Sequence, residues 1–92
     1  MALLDLLGRR WALRILWELR ERSLTFRQLR ESCEAMSPSV LNQRLAELRE
    51  AGIVAALEGG GYALTAEGKI LLRELADLDA WAKRWAKRLK RA

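Results

Sequence analysis

The stretch SPSVLNQRLAELREAGIV, residues 37–54, decides the fold. Ser37 followed by Pro38 is a helix start: a hydroxyl caps the first free amides, and proline at the first helical position gives up only a donor that would be unpaired anyway. The spacing predicts a helix over 38–51, with Gly52 as its C-terminal stop. Leu41, Leu45 and Leu48 share one azimuth and must face a core. At about 100° per residue, Ser39, Gln43, Ala46, Glu47 and Glu50 then project from the far side, with Asn42 and Arg44 on opposite flanks.

Working outward from that helix, Thr25-Phe-Arg-Gln28 has the form of a capping box, so a second helix is expected over 26–33 with Phe26, Leu29 and Cys33 inward. A short connection at 34–36 separates the two. Downstream, 53–57 is short, apolar and partly branched, Glu58 and three glycines turn the chain, and 62–64 returns, which reads as a hairpin. Two helices joined by a tight connection and followed by a two-stranded hairpin make a winged helix-turn-helix. The expected class is mainly α with a small β-hairpin, in one domain over 1–92. It divides into N-terminal helices at 1–22, the helix-turn-helix at 25–51, the wing at 53–64 and a terminal helix at 66–90.

Such a module docks onto duplex. Small and amide-bearing side chains crowd the first half of the outward face, and Ser39, Asn42, Gln43 and Ala46 are the base-reading candidates, because Asn and Gln pair with adenine edges and Ser with either base. The phosphate candidates are Thr25, Arg27, Gln28, Ser37, Arg44 and Arg49. The same residue types also make an ordinary solvated surface, and for Arg44 a brace to a carboxylate such as Glu18 or Glu31 is an equal alternative. Glu47 and Glu50 repel phosphate and confine groove contact to the first two turns.

The ends carry a different signal. Before 25, Gly8 separates a short helical turn from a helix starting near residue 9, in which Ala12, Ile15, Leu16 and Leu19 line one face. Leu13 and Trp17 lie more than about 100° around and need another cover. A helix over 66–90 would be roughly 38 Å long, against a ball of about 28 Å for the rest of the chain. Along it Leu71, Leu75, Leu78, Ala82, Trp85 and Leu89 form a seam with gaps of 4, 3, 4, 3 and 4 residues, a coiled-coil spacing. With apolar Leu3, Leu4, Leu6 and Leu7, this points to a two-fold homodimer. Its interface is expected to use Leu3, Leu4, Leu7, Leu13, Trp17, Leu75, Leu78, Trp81, Ala82, Trp85 and Leu89.

Composition narrows the function classes. The chain has 92 residues, no histidine, one cysteine and one proline, so a zinc site, a disulfide framework and a histidine-based triad lack their raw material. No enzyme, metal or cofactor is expected, and no polar cluster points to a small-molecule effector. Residues 1–80 carry 11 basic and 12 acidic side chains, whereas 81–92 carry six basic and none acidic. A net charge of +5 suits an anionic partner, yet the excess belongs entirely to the tail. No apolar run approaches the roughly 18 residues that span a bilayer, and MALLDLLG does not read as a secretion signal. No membrane partner and a cytoplasmic location are expected. Trp81 and Trp85 beside Lys83, Arg84, Lys87 and Arg88 leave an interfacial lipid helix as a minor reading.

The segments GRRWALRIL from Gly8, LTFRQLR from Leu24, SPSVLNQRLAELREAGIV from Ser37 and YALTAEGKILL from Tyr62 together resemble the HxlR-type transcriptional regulators, a branch of the MarR-like winged-helix proteins. The Ser-Pro start, the Leu-x-x-Arg-Leu centre and the Tyr-x-Leu-Thr-x-x-Gly return occur in the expected order. The resemblance implies a homodimeric DNA-binding regulator, usually acting at promoters, and two recognition helices in successive major grooves make a pseudo-palindromic site on double-stranded DNA the expected operator. In such a regulator the helix over 38–51 is the recognition helix and the terminal helices are the dimer contacts. The chain departs from the family pattern in three ways. Ser39 stands where a basic residue is common, the wing is short and acidic, and the single cysteine, Cys33, is not near the N-terminus and reads as a small core hydrophobe. The near-neutral first 80 residues and the acidic wing support the competing class, a winged-helix protein-interaction module that does not bind DNA.

Overall fold

The computed structural model describes residues 2–91; residues 1 and 92 of the expected domain lie outside the described residues. Among the described residues five helices and one hairpin follow in order: α1 Ala2–Gly8, α2 Ala12–Glu18, α3 Phe26–Ser32, α4 Pro38–Glu50, β1 Val54–Ala56, β2 Tyr62–Leu64 and α5 Ala66–Arg91. The winged helix-turn-helix expectation holds at every element from residue 25 onward, with boundaries shifted by one or two residues.

Each expected cap is present. Thr25 Oγ1 accepts from the Gln28 amide at 3.1 Å while the Thr25 amide donates to Gln28 Oε1 at 2.9 Å, a closed capping box. Ser37 Oγ accepts from the Val40 amide at 3.2 Å with Pro38 in the first turn, and Gly52 leaves α4 at φ 76°. Leu41, Leu45 and Leu48 are buried together with Ile15, Leu16, Leu19, Leu29 and Cys33 in one core, to which Ile53, Val54 and Leu64 of the wing base add. Burying a side chain of this size stabilises by about 1.5–3 kcal/mol before conformational entropy is counted, so this cluster is what fixes the angle between α3 and α4.

The N-terminal segment corrects the sequence reading. The second helix starts at Ala12, three residues later than expected, because Trp11 adopts a left-handed conformation at φ 77° and interrupts the helix. The half-buried Trp11 ring packs against the core, and that packing holds a backbone conformation disfavoured for a bulky residue. The apolar face itself is as expected, with Ala12, Ile15, Leu16 and Leu19 all buried.

Two close approaches set the wing and the last helix. β1 and β2 pair antiparallel with Val54 opposite Leu64 and Ala56 opposite Tyr62. Leu24 then adds a further bridge to Tyr62, its amide donating to the Tyr62 carbonyl at 3.0 Å and its carbonyl accepting from the Tyr62 amide at 2.7 Å. This ties the chain entering α3 to the wing, and Gly61 at φ +94° passes directly beneath Leu24. At the start of α5 a Cβ on Gly68 would stand 2.2 Å from the Ile53 carbonyl oxygen. Gly68 is thus a packing requirement. α5 runs for 26 residues, about 39 Å at 1.5 Å per residue, and is longer than either short dimension of a molecule that measures 51 × 28 × 26 Å over its described residues.

Candidate nucleic-acid interface

Burial of the leucine stripe of α4 turns its opposite face outward. Ser39, Asn42, Gln43 and Ala46 are all exposed on the first three turns, and Glu50 is exposed at the end. The four base-reading candidates thus share one accessible surface. Ser39 Oγ lies 3.3 Å from Ser37 Oγ, so the two hydroxyls form a small polar cluster where α4 begins.

The phosphate candidates divide. Arg27 is almost fully exposed on α3, loosely paired with Glu31 at 3.4 Å, and Arg49 is exposed near the end of α4. Thr25, Gln28 and Ser37 are accessible, but Thr25 Oγ1, Gln28 Oε1 and Ser37 Oγ already accept bonds that hold their helix starts. Arg44 stands apart from these. Its side chain is only 13% exposed, its Nε donates to the Arg10 carbonyl at 2.9 Å, and its Nη1 pairs with Glu47. Its alternative role as a brace is therefore the one the geometry supports, with partners other than those expected. Glu18 is taken by Arg14 at 2.8 Å, and Glu31 faces Arg27.

Glu47 is the residue the sequence reading misplaced. It turns toward the α1–α2 junction, where Arg9 Nε meets its second oxygen at 2.8 Å and Arg44 its first. Two guanidiniums on one carboxylate neutralise a charge that would otherwise repel phosphate, so only Glu50 keeps an unpaired negative charge on the outward face among the described residues. The same network welds the recognition helix to the segment carrying Trp11. The available signal was the Arg9-Arg10 pair after Gly8, which no periodicity links to residue 47. Arg14 makes a second such tie, its Nη2 donating to the Ser32 carbonyl at 3.0 Å between α2 and the end of α3.

The wing reaches out only as Leu57, Glu58 and glycine. The turn closes through the Leu57 amide on the Gly61 carbonyl at 2.9 Å and the Gly60 amide on the Leu57 carbonyl at 3.0 Å. It offers no cationic side chain. Cys33 is 2% exposed; burial pushes its thiol above the ordinary value, Arg14 pulls the other way and Glu18 adds to the rise, so the reactive thiolate is disfavoured.

The expected dimer residues also fall into groups. Leu7 and Leu75 are half-buried and pack onto the core, beside Leu6, Leu71 and Leu72, which are outside the expected interface set. By contrast Leu13, Trp17, Leu78, Trp81, Trp85 and Leu89 stand 48–57% exposed, and Leu3 and Leu4 are exposed on α1. Leu13 and Trp17 of α2 and Leu72, Leu75, Leu78 and Ala82 of α5 line one continuous apolar groove of about 700 Å³. Arg20 covers one face of Trp17 at 3.9 Å. Among the described residues no helix is long and apolar enough to cross a membrane.

Comparison with known proteins agrees with this architecture. The model of the HxlR-like helix-turn-helix family matches residues 6–90. The HTH-type transcriptional regulator YvaP of Bacillus subtilis is 31% identical over 90 residues, covering 88% of this chain and 81% of that protein. Quinone-bound YodB of B. subtilis superposes with a TM-score of 0.84 at 30% identity, covering 90% of this chain and 93% of that one. A structure from Thermoplasma volcanium GSS1, described as "a possible HxlR family transcriptional factor", gives 0.78 at 26% identity, with 92% and 82% covered. The buried leucine stripe of α4, the hairpin after it and the match over residues 6–90 have one reading: the chain belongs to the HxlR-like helix-turn-helix family of DNA-binding transcriptional regulators.

Proposed function

We propose that the protein acts as a homodimer on a pseudo-palindromic operator, placing one α4 in each of two successive major grooves, N-terminal end first. The observation that carries this reading is the exposed run Ser39, Asn42, Gln43 and Ala46 on a helix whose other face is fully buried. Gln43 and Asn42 supply amides for adenine edges, Ser39 a hydroxyl for either base, and Ala46 an apolar contact suited to a thymine methyl. Arg27, Arg49 and the amide nitrogen of Gln28 hold flanking phosphates, while Thr25 and Ser37 serve mainly as caps. Arg44 positions α4. Minor-groove reading by the wing is not part of the mechanism, since Glu58 and glycine offer no guanidinium.

The homodimer is supported by the exposed seam of α5 and the groove beside α2, which together form too large an apolar surface for a chain that stays alone in water. Two-fold pairing presents two α4 helices to duplex in opposite senses, and an inverted repeat is the sequence that such a pair recognises.

Anisotropy titration against random duplex and against a sequence selected from it tests the reading. Gln43→Ala is expected to lose about 1–3 kcal/mol of discrimination at one base position per half-site. Arg27→Ala is expected to weaken all sequences alike and to lower the salt slope by about 1. Unchanged preference in Gln43→Ala would contradict the base-reading assignment. Failure of the wild type to bind any duplex would favour a protein-interaction module.

A further inference from the structure

We infer that the second copy lies antiparallel along α5 in a register whose two-fold axis crosses the helix at Ala80, fixed by Glu74 of each chain facing Arg88 of the partner subunit. The inference rests on the homodimer reading and specifies its geometry. The seam gaps of 4, 3, 4, 3 and 4 read the same from either end. Reversing the helix about Ala80 therefore sets Leu71 against Leu89, Leu75 against Trp85 and Leu78 against Ala82, with no seam residue left unmatched. Leu71 and Leu75 are half-buried by their own domain and keep an open side for the distal half of the partner.

Charge selects the direction. Residues 66–79 carry four acidic and two basic side chains, and 80–91 carry six basic and none acidic. A parallel pair would set the two basic halves side by side. An antiparallel pair sets each basic half beside an acidic one, and charged positions flanking a seam are what set orientation in paired helices.

The flank is identifiable. Leu72 and Asp79 edge the seam on the side of α2, where they line the apolar groove. Glu74, Trp81 and Arg88, seven residues apart, edge the other side. In an antiparallel pair like flanks meet, so Glu74 meets Arg88 twice by symmetry and the two Trp81 rings meet at the axis. Neither Glu74 nor Arg88 has an ion-pair partner in its own chain among the described residues. Trp81 is already ordered by stacking on Trp85 at 5.7 Å. On the other flank Asp79 would approach its symmetry mate, but Lys83 holds it at 3.2 Å and offsets that repulsion.

Disulfide trapping in the full chain tests the register, with the wild type as control because its one cysteine is buried. Trp81→Cys is expected to oxidise to a covalent dimer. Arg88→Cys alone is expected not to, since its two copies, each eight residues from the axis, would lie about 24 Å apart along the helix, whereas a mixture of Glu74→Cys and Arg88→Cys should cross-link as a heterodimer. At low salt Glu74→Arg is expected to raise the dimer Kd about tenfold, and Glu74→Arg with Arg88→Glu to bring it back. Efficient self-cross-linking of Arg88→Cys, no cross-link between Glu74→Cys and Arg88→Cys, or no recovery in the double reversal would overturn the register. Sedimentation of the wild type separates the two levels: a monomer at micromolar concentration removes the homodimer itself, while a dimer with the wrong cross-links removes only this geometry.

Discussion

α4 and α5 are both amphipathic helices with leucine stripes, yet the stripe of α4 is entirely buried while α5 buries only Gly68. The first helix has its apolar face satisfied within its own domain, and its polar face is therefore rigidly presented. The second runs past the domain, and from Leu78 onward its stripe meets water. One helix is built to meet a polar, charged surface as it stands. The other is incomplete until something apolar covers it. In the proposed homodimer the winged helix supplies the recognition surface and the overhang the surface that pairs two copies.

Variants that act on one helix and leave the other alone sharpen this contrast. Leu41→Ala should cost about 3 kcal/mol of unfolding free energy through the cavity it leaves, measured by urea denaturation, with a loss that does not depend on protein concentration. Gly68→Ala should cost about 2–3 kcal/mol, because a methyl cannot occupy the space 2.2 Å from the Ile53 carbonyl without moving α5 off the wing; the same melts would report it, together with weakened dimerisation. Trp85→Ala should raise the dimer Kd by about thirtyfold, equivalent to about 2 kcal/mol. Its far-UV spectrum should stay unchanged and its thermal midpoint should fall only where dilution dissociates the dimer. The smallest effect is expected for Glu47→Gln, about 1 kcal/mol of stability from a partly exposed pair of ion contacts. Its more telling outcome would be reduced DNA affinity, as Arg9 and Arg44 lose the carboxylate that fixes α4 against the α1–α2 junction. If Glu47→Gln instead tightened DNA binding, Glu47 would be acting as an exposed negative charge and its assignment as a brace would fail.

The helix-turn-helix was legible because its signals are local. The Ser37-Pro38 start, the Thr25–Gln28 box and the Gly52 stop each depend on chemistry within four residues, and leucine spacing names the buried face directly. What the sequence concealed was long-range. The partner of Arg44 lies on the segment around Arg9 and Arg10, and the bridge from Leu24 to Tyr62 joins residues far apart in the chain. The contact of Gly68 with Ile53 is likewise invisible to a reading that treats glycine as a helix weakener. The left-handed Trp11 could not be anticipated either, since bulky residues avoid that conformation and only tertiary packing holds it. Projection at about 100° per residue put Ser39, Gln43 and Ala46 on the far side and Asn42 on a flank, and all four side chains are exposed. It failed at Glu47, because a long side chain at the edge of the arc swings toward whatever guanidinium is near.

The most direct test of the account is selection of bound sequences from a random duplex library by the wild-type protein. Enrichment of an inverted repeat, with half-sites centred about 10 base pairs apart or a multiple of that, is the result predicted for two α4 helices related by a two-fold axis. No enrichment over the starting library, or a single half-site without inverted symmetry, would contradict it.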